Sequence, residues 1–187
     1  MNTLELFEKM HNRTSVVPLL DSQIDVIQNS CASFLTQSNG CPLYKVLPQN
    51  QTFVKVKARK RTKSTTFSES FDVALDTIPN LRQRAIYAHG CAPSDPKGHT
   101  YYIFLEDGFK FVYNPTINDS NILELVYDRV NEQETFEMLL QCNYVSGDLI
   151  EGLNSGAEIL IHNSPRYYAI HTSVYPEYAN LLKVLNK

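Results

Sequence analysis

No apolar run in the 187 residues approaches the roughly 20 that a membrane-spanning helix needs, so a spanning segment is not expected. The opening stretch MNTLELFEKMHNR alternates acidic and apolar residues where a secretory leader would be basic, then apolar, then small, so export by that route is not expected either. Cys31, Cys41, Cys91 and Cys142 include no C-x-x-C pair and have no histidine at zinc-ligand spacing, which argues against a metal site. Four scattered thiols instead fit a reducing cytoplasm, with cysteine acting as a small core hydrophobe. An excess of one charge is missing too. The 17 Lys and Arg against 20 Asp and Glu leave a net charge of −3, whereas a general nucleic-acid binder is basic over a whole face. Also absent are G-x-G-x-x-G, the P-loop, H-E-x-x-H and G-x-S-x-G, and with them the commonest nucleotide, zinc-protease and hydrolase signatures.

What is present is an ordinary globular composition, 43% hydrophobic and 20% charged, in a chain long enough to bury roughly 70% of its unfolded surface in one core. A single domain over residues 1–187 is the expectation, with no repeat or linker to divide it. Leu4 to Met10 suggests a short helix. SQIDVIQNSCASFLTQ suggests a longer one, with Ile24, Ile27, Cys31, Phe34 and Leu35 on one face, capped by Asp21 or Ser22 and ended by Asn39-Gly40. PLYKVL, FVKVKA, RQRAIYAH, TYYIFLE and FKFVYN read as strands, the last two joined by a hairpin turn at Asp107-Gly108. A short helix is expected over residues 69–78. After Pro115 the pattern becomes helical, through Ile122 to Leu140 and again at Leu149, Ile150 and Leu153, until Asn154-Ser155-Gly156 ends it. AEILIH and RYYAIHT then predict a hairpin around His162 to Pro165, and a helix closes the chain. Helices, a strand-rich middle, helices again and a hairpin read as α+β with a mixed or antiparallel sheet and flanking helices.

Six of the chain's cations, Lys55, Lys57, Arg59, Lys60, Arg61 and Lys63, fall within nine positions. The first two alternate with Val54 and Val56, which predicts a half-buried strand with a cationic wet face running into a basic loop. Such a patch can hold phosphate, nucleic acid or an acidic partner; the competing reading is a strand edge guarded by lysines. Glu158 interrupts the apolar strand AEILIH, where an acid is costly unless paired, exposed or used. Alternation puts it on a face with Leu160 and His162. Tyr101, Tyr102, Tyr167 and Tyr168 have faces suited to stacking on a base or nicotinamide ring, though in strands such residues also serve cross-strand packing. His89 and His99 flank Cys91, a pattern that makes a nucleophile and base only if they converge in space.

Taken in order, PLYKVL, the basic RKRTKSTT, RQRAIYAH, TYYIFLEDG and GAEILIHNSPRYYAIHTS resemble the ADP-ribosyltransferase-like proteins encoded by tailed phages. In that family successive strands carry an Arg or His, a Ser-containing motif and a Glu before an apolar triplet. The resemblance covers roughly residues 42–172, leaving helices over 1–40 and 174–187. It implies an ADP-ribosyltransferase-like fold and cleavage of the nicotinamide-ribose bond of NAD, with ADP-ribose passed to a host protein or nucleic acid in the cytoplasm of an infected cell. Virion association is a further implied location. Glu158 would be the catalytic glutamate, which holds ribose hydroxyls and stabilises oxocarbenium-like charge. Lys45 would stand at the first-strand cation, joined by Arg84 for the phosphates, and Tyr101 or Tyr168 would stack on the ring. Ala85 and Ala88 stand near the places of the family's serines, and Ser64, Thr65 and Thr66 would supply a hydroxyl only with the alignment shifted back to the basic loop. That departure implies the alternative: a catalytically eroded accessory protein that binds a host or virion protein, or nucleic acid, through residues 55–63.

Overall fold

A computed structural model describes residues 17–58, 81–94, 96–117 and 144–186. The expected helices over 4–10, 69–78 and 122–140 lie outside them, as do Arg59, Lys60, Arg61, Lys63, Ser64, Thr65, Thr66 and Cys142. The elements are α1 (Asp21–Ser30), α2 (Ala32–Ser38), β1 (Tyr44–Leu47), β2 (Phe53–Lys57), α3 (Leu81–Arg84), β3 (Ile86–His89), β4 (His99–Leu105), β5 (Lys110–Tyr113), α4 (Leu149–Asn154), β6 (Glu158–His162), β7 (Arg166–His171) and α5 (Tyr178–Leu185). The strands form one seven-stranded sheet in the order β2-β7-β4-β1-β3-β6-β5, with every pairing antiparallel. The architecture is α+β, and no described helix is long and apolar enough to cross a membrane.

Both expected hairpins are overturned by that order. The turns form where Asp107-Gly108 and Asn163-Ser164-Pro165 predict them, but β4 does not pair with β5, nor β6 with β7. In a flat sheet β6 and β7 would stand four strand spacings apart, about 19 Å. His162 to Arg166 is only four residue steps, at most ~14 Å of chain. The sheet must therefore fold over, so that each turn is an arch from one half, β2-β7-β4-β1, to the other, β3-β6-β5. The fold-over falls at β1/β3, whose register is the single pair Tyr44↔His89, while the other pairings hold four or five. The two arches also touch: Asn163 Nδ2 donates to the Gly108 carbonyl at 2.8 Å, and Arg166 Nε lies 2.8 Å from the Glu106 carboxylate.

The N-terminal apolar face holds, with Ile27, Cys31 and Phe34 fully buried, but the helix breaks at Cys31, where φ is −126° and ψ 25°. An arch residue meets the break. The Asp107 backbone N–H donates to the Ser30 carbonyl and its carboxylate accepts from the Ser33 N–H, each at 2.8 Å, so the second helix is capped from a distant part of the chain. Asp21 is inside the first turn instead of capping it; Gln23 Oε1 accepts from the Leu20 N–H there. Asn39 (φ 45°) and Gly40 (φ 81°) end α2 as expected. Phe34 then meets Phe104 and Phe109 edge-on at 5.9 and 6.1 Å, and α5 lays Tyr178 on Tyr102 and Phe104. The strand expected over RQRAIYAH starts late, because Leu81–Arg84 is a helical turn with Leu81 buried.

Candidate functional site

Glu158 is delivered to the sheet by a tight sequence of local contacts. Asp148 caps α4 through the Ile150 N–H, and Ser155 Oγ donates to the Gly152 carbonyl and accepts from the Ala157 N–H. Gly156 turns the chain with φ 75°, so Glu158 opens β6. Its side chain is only 6% exposed. Across the sheet it stands opposite His89, which stands opposite Tyr44, so one row crosses the seam from β6 through β3 to β1. Lys45 is the next residue on β1. Its ammonium donates to the Tyr87 carbonyl, bridging the seam just past the single ladder pair. Lys45 and Glu158 thus flank β3 on opposite faces of the sheet: opposed residues share a face, so Glu158 goes with His89 and Tyr44, and Lys45, one residue on, points the other way. Lys45 shares its face with Tyr101, and Tyr44 shares the other with Tyr102; both Lys45 and Glu158 have interaction partners.

The remaining sequence candidates are not gathered there. Arg84 is exposed, before the start of β3, whereas His89 and Glu158 mark its end, ~10 Å further along than Ile86. The Tyr101 ring is fully buried, edge-on to His171. Its hydroxyl staples the β1–β2 loop, accepting from the Gln51 N–H at 3.0 Å and facing the Gln49 and Gln51 carbonyls at 2.8 and 2.9 Å. Tyr168 has Phe53 stacked at 6.0 Å and the Lys55 ammonium 5.6 Å from its ring centroid. In this arrangement both rings are occupied by protein. Ala88 is buried opposite Ile159. Lys55 and Lys57 are exposed on the edge strand β2, Lys57 opposite Arg166. Among the described residues no group of three or more His, Cys, Asp and Glu could hold a metal ion.

A second cluster, at the end of β7, was not singled out by the sequence. Ser173 Oγ lies 2.7 Å from His171 Nδ1, and the Ser173 N–H donates to the same nitrogen at 3.1 Å. Because a backbone N–H only donates, Nδ1 carries a lone pair and the ring proton is on Nε2, 3.3 Å from His99 Nδ1. Burial, and secondarily His99, lowers the pKa of His171 below the ordinary 6.5. Ser173 opens onto a cavity of about 420 Å³ whose wall includes the hydroxyl-bearing Tyr44, Thr100, Tyr102 and Thr172. Burial pushes the Tyr102 phenol up to about 12, and that of Tyr44 upward as well. His99 therefore turns to His171 and not to a nucleophile at Cys91, which is exposed. His99 and His171 are 72 residues apart, so only His-x-Ser at a strand end was available as a local sign. No protein-family model, curated protein or solved structure matches this chain.

Proposed function

We propose that this chain is an ADP-ribosyltransferase-like protein of the phage type, binding NAD at the seam between the two halves of its sheet. One observation carries the reading: a nearly buried glutamate, Glu158, opens a strand beside the fold-over, in register with His89 and Tyr44 on one face of the sheet. In such a place a carboxylate can hold ribose hydroxyls and stabilise the positive charge that grows as nicotinamide leaves. Lys45 lies on the sheet's other face, so it does not join Glu158 in one pocket, and the pyrophosphate contact falls to other groups on the Glu158 side. A lysine would in any case give a point charge and not the bidentate fork of an arginine. ADP-ribose would pass to a host protein or nucleic acid in the infected cell. Calorimetric titration with NAD, together with an assay for free nicotinamide, tests this. Binding and release in the parent chain, with release lost in Glu158→Gln, is the expected result; absence of NAD binding overturns it.

A second reading, an eroded accessory protein, is favoured by the enclosed rings of Tyr101 and Tyr168 and by the buried methyl of Ala88 where a hydroxyl is expected. It predicts NAD binding without release, or none, and capture of a host or virion protein through the basic segment. Replacing Lys57, Arg59, Lys60 and Arg61 by alanine then abolishes capture. If the partner is nucleic acid, affinity falls steeply with added salt.

A further inference from the structure

We infer that Ser173, His171 and His99 form a nucleophile–base–orienting relay that hydrolyses small esters in the hydroxyl-lined cavity onto which Ser173 opens. The site is independent of Glu158 and NAD. Three observations converge. The serine oxygen is at hydrogen-bond distance, 2.7 Å, from an imidazole nitrogen that must be unprotonated, because a backbone N–H already donates to it. The opposite nitrogen of that ring, which carries the proton once the Ser173 N–H has claimed Nδ1, faces a second imidazole at 3.3 Å that can orient the ring from the far side as the third member of a triad does. Ser173 itself lines a cavity of about 420 Å³, within the usual range of small-molecule sites, and Ala92 and Pro176 give that cavity apolar surface beside the hydroxyls.

The relay is held by the surrounding fold. β7 is fixed by the His171 N–H to the Thr52 carbonyl at 3.0 Å, and Thr172 donates twice to the Thr100 carbonyl, from its N–H and its hydroxyl. The ring of His171 is braced edge-on by Tyr101, 5.0 Å between centroids. The turn beyond is closed by the Val174 N–H on the His171 carbonyl. Ser173 is partly exposed and lines the cavity; His171, also partly exposed, shares the other face of the sheet with Tyr101 and acts on the cavity through the Ser173 hydroxyl.

In the acylation step Ser173 Oγ bonds to the ester carbonyl carbon as its proton passes to His171 Nδ1, while the Nε2–H donates to His99. The ester C–O bond then breaks and the departing alkoxide takes the proton from Nδ1, leaving an acyl-serine. Water attacks that acyl group by the same route, giving its proton to Nδ1; the serine leaves and recovers it. The sum is ester plus water to carboxylic acid plus alcohol. Short acyl groups on oxygen-rich alcohols suit a cavity of this volume and lining.

The test uses the full chain with p-nitrophenyl acetate as substrate and a fluorophosphonate as covalent probe, read by peptide mass mapping. One phosphonyl group on Ser173 is expected, with hydrolysis reduced about 100-fold in Ser173→Ala and in His171→Gln. His99→Gln should keep the adduct and shift the pH–rate profile. A serine that only closes the turn gives no adduct on Ser173 in the parent chain, and that result overturns the assignment, whatever the stability of the variants. Hydrolysis by Ser173→Ala at the parent rate, or an adduct on another residue, overturns it equally.

Discussion

Gly90 is the position at which the backbone leaves least room, and Gly90→Ala gives a sharp test of how α4 is seated. A β-carbon at Gly90 would stand 2.7 Å from Leu153 Cα and closer still to that residue's carbonyl group. Carbon atoms in contact settle at about 3.5–4.0 Å, so the helix must retreat by about 1 Å. No side-chain rotation relieves the clash, because the obstructing atoms are backbone. Retreat lifts Leu149 and Leu153, now 2% and 3% exposed, from the core. The top of the usual overpacking range, about 3 kcal/mol, is the expected cost. For a chain of this length that is a fall in Tm of about 6–12 °C. Gly156→Ala serves as the comparison. It has nothing within 4 Å of the added carbon but a φ of 75°, so it should lose only the ~1–2 kcal/mol of left-handed strain. Both are measured by denaturant titration with circular dichroism. A Gly90→Ala variant within about 1 kcal/mol of the parent, or more stable than Gly156→Ala, refutes the seating of α4 against β3.

Tyr101→Phe removes the hydroxyl that holds the β1–β2 loop and leaves the Gln51 N–H without its acceptor; a loss of about 2 kcal/mol in a urea melt is expected, and a loss under 0.5 kcal/mol contradicts the staple. Burial, followed by the nearby Asp107 and Glu106 carboxylates, pushes the Cys31 thiol up to about 12. Iodoacetamide on the native chain should therefore label exposed Cys91 and spare Cys31, read by peptide mass spectrometry. His162 and His171 are both lowered by burial, so between pH 6.5 and their folded values the unfolded chain binds more protons. Stability should be full above pH 6.5 and fall as pH drops below it, and His171→Gln should flatten that fall in thermal melts at pH 5 to 7.

The strands were legible one at a time, because alternation of apolar and polar residues is a property of each segment. Their partners were not. Asp107-Gly108 and Asn163-Ser164-Pro165 signal a reversal of the chain, and a hairpin and an arch begin with the same reversal; what separates them is which strands lie alongside, a long-range outcome. The face of Ile27, Cys31 and Phe34 was visible from spacing, while the break at Cys31 depends on Asp107, far along the chain. Glu158 stood out as an acid in an apolar strand. The tyrosines did not reveal their occupants, since Tyr101 meets a loop and Tyr168 meets Phe53 and Lys55 only after β2, β4 and β7 have paired.

The arches also set how the chain reaches this state. Every strand pairing described joins segments far apart in sequence; even β5 and β6, neighbours in chain order, are separated by residues 114–157. Among the described residues no short hairpin nucleates the sheet, and each loop must close before its contacts repay the lost entropy. Folding should accordingly be slow for a chain of this size, with strand edges unpaired until late and open to pairing with other chains. The single-pair seam between the halves is then the natural place for two molecules to exchange layers during refolding at high concentration.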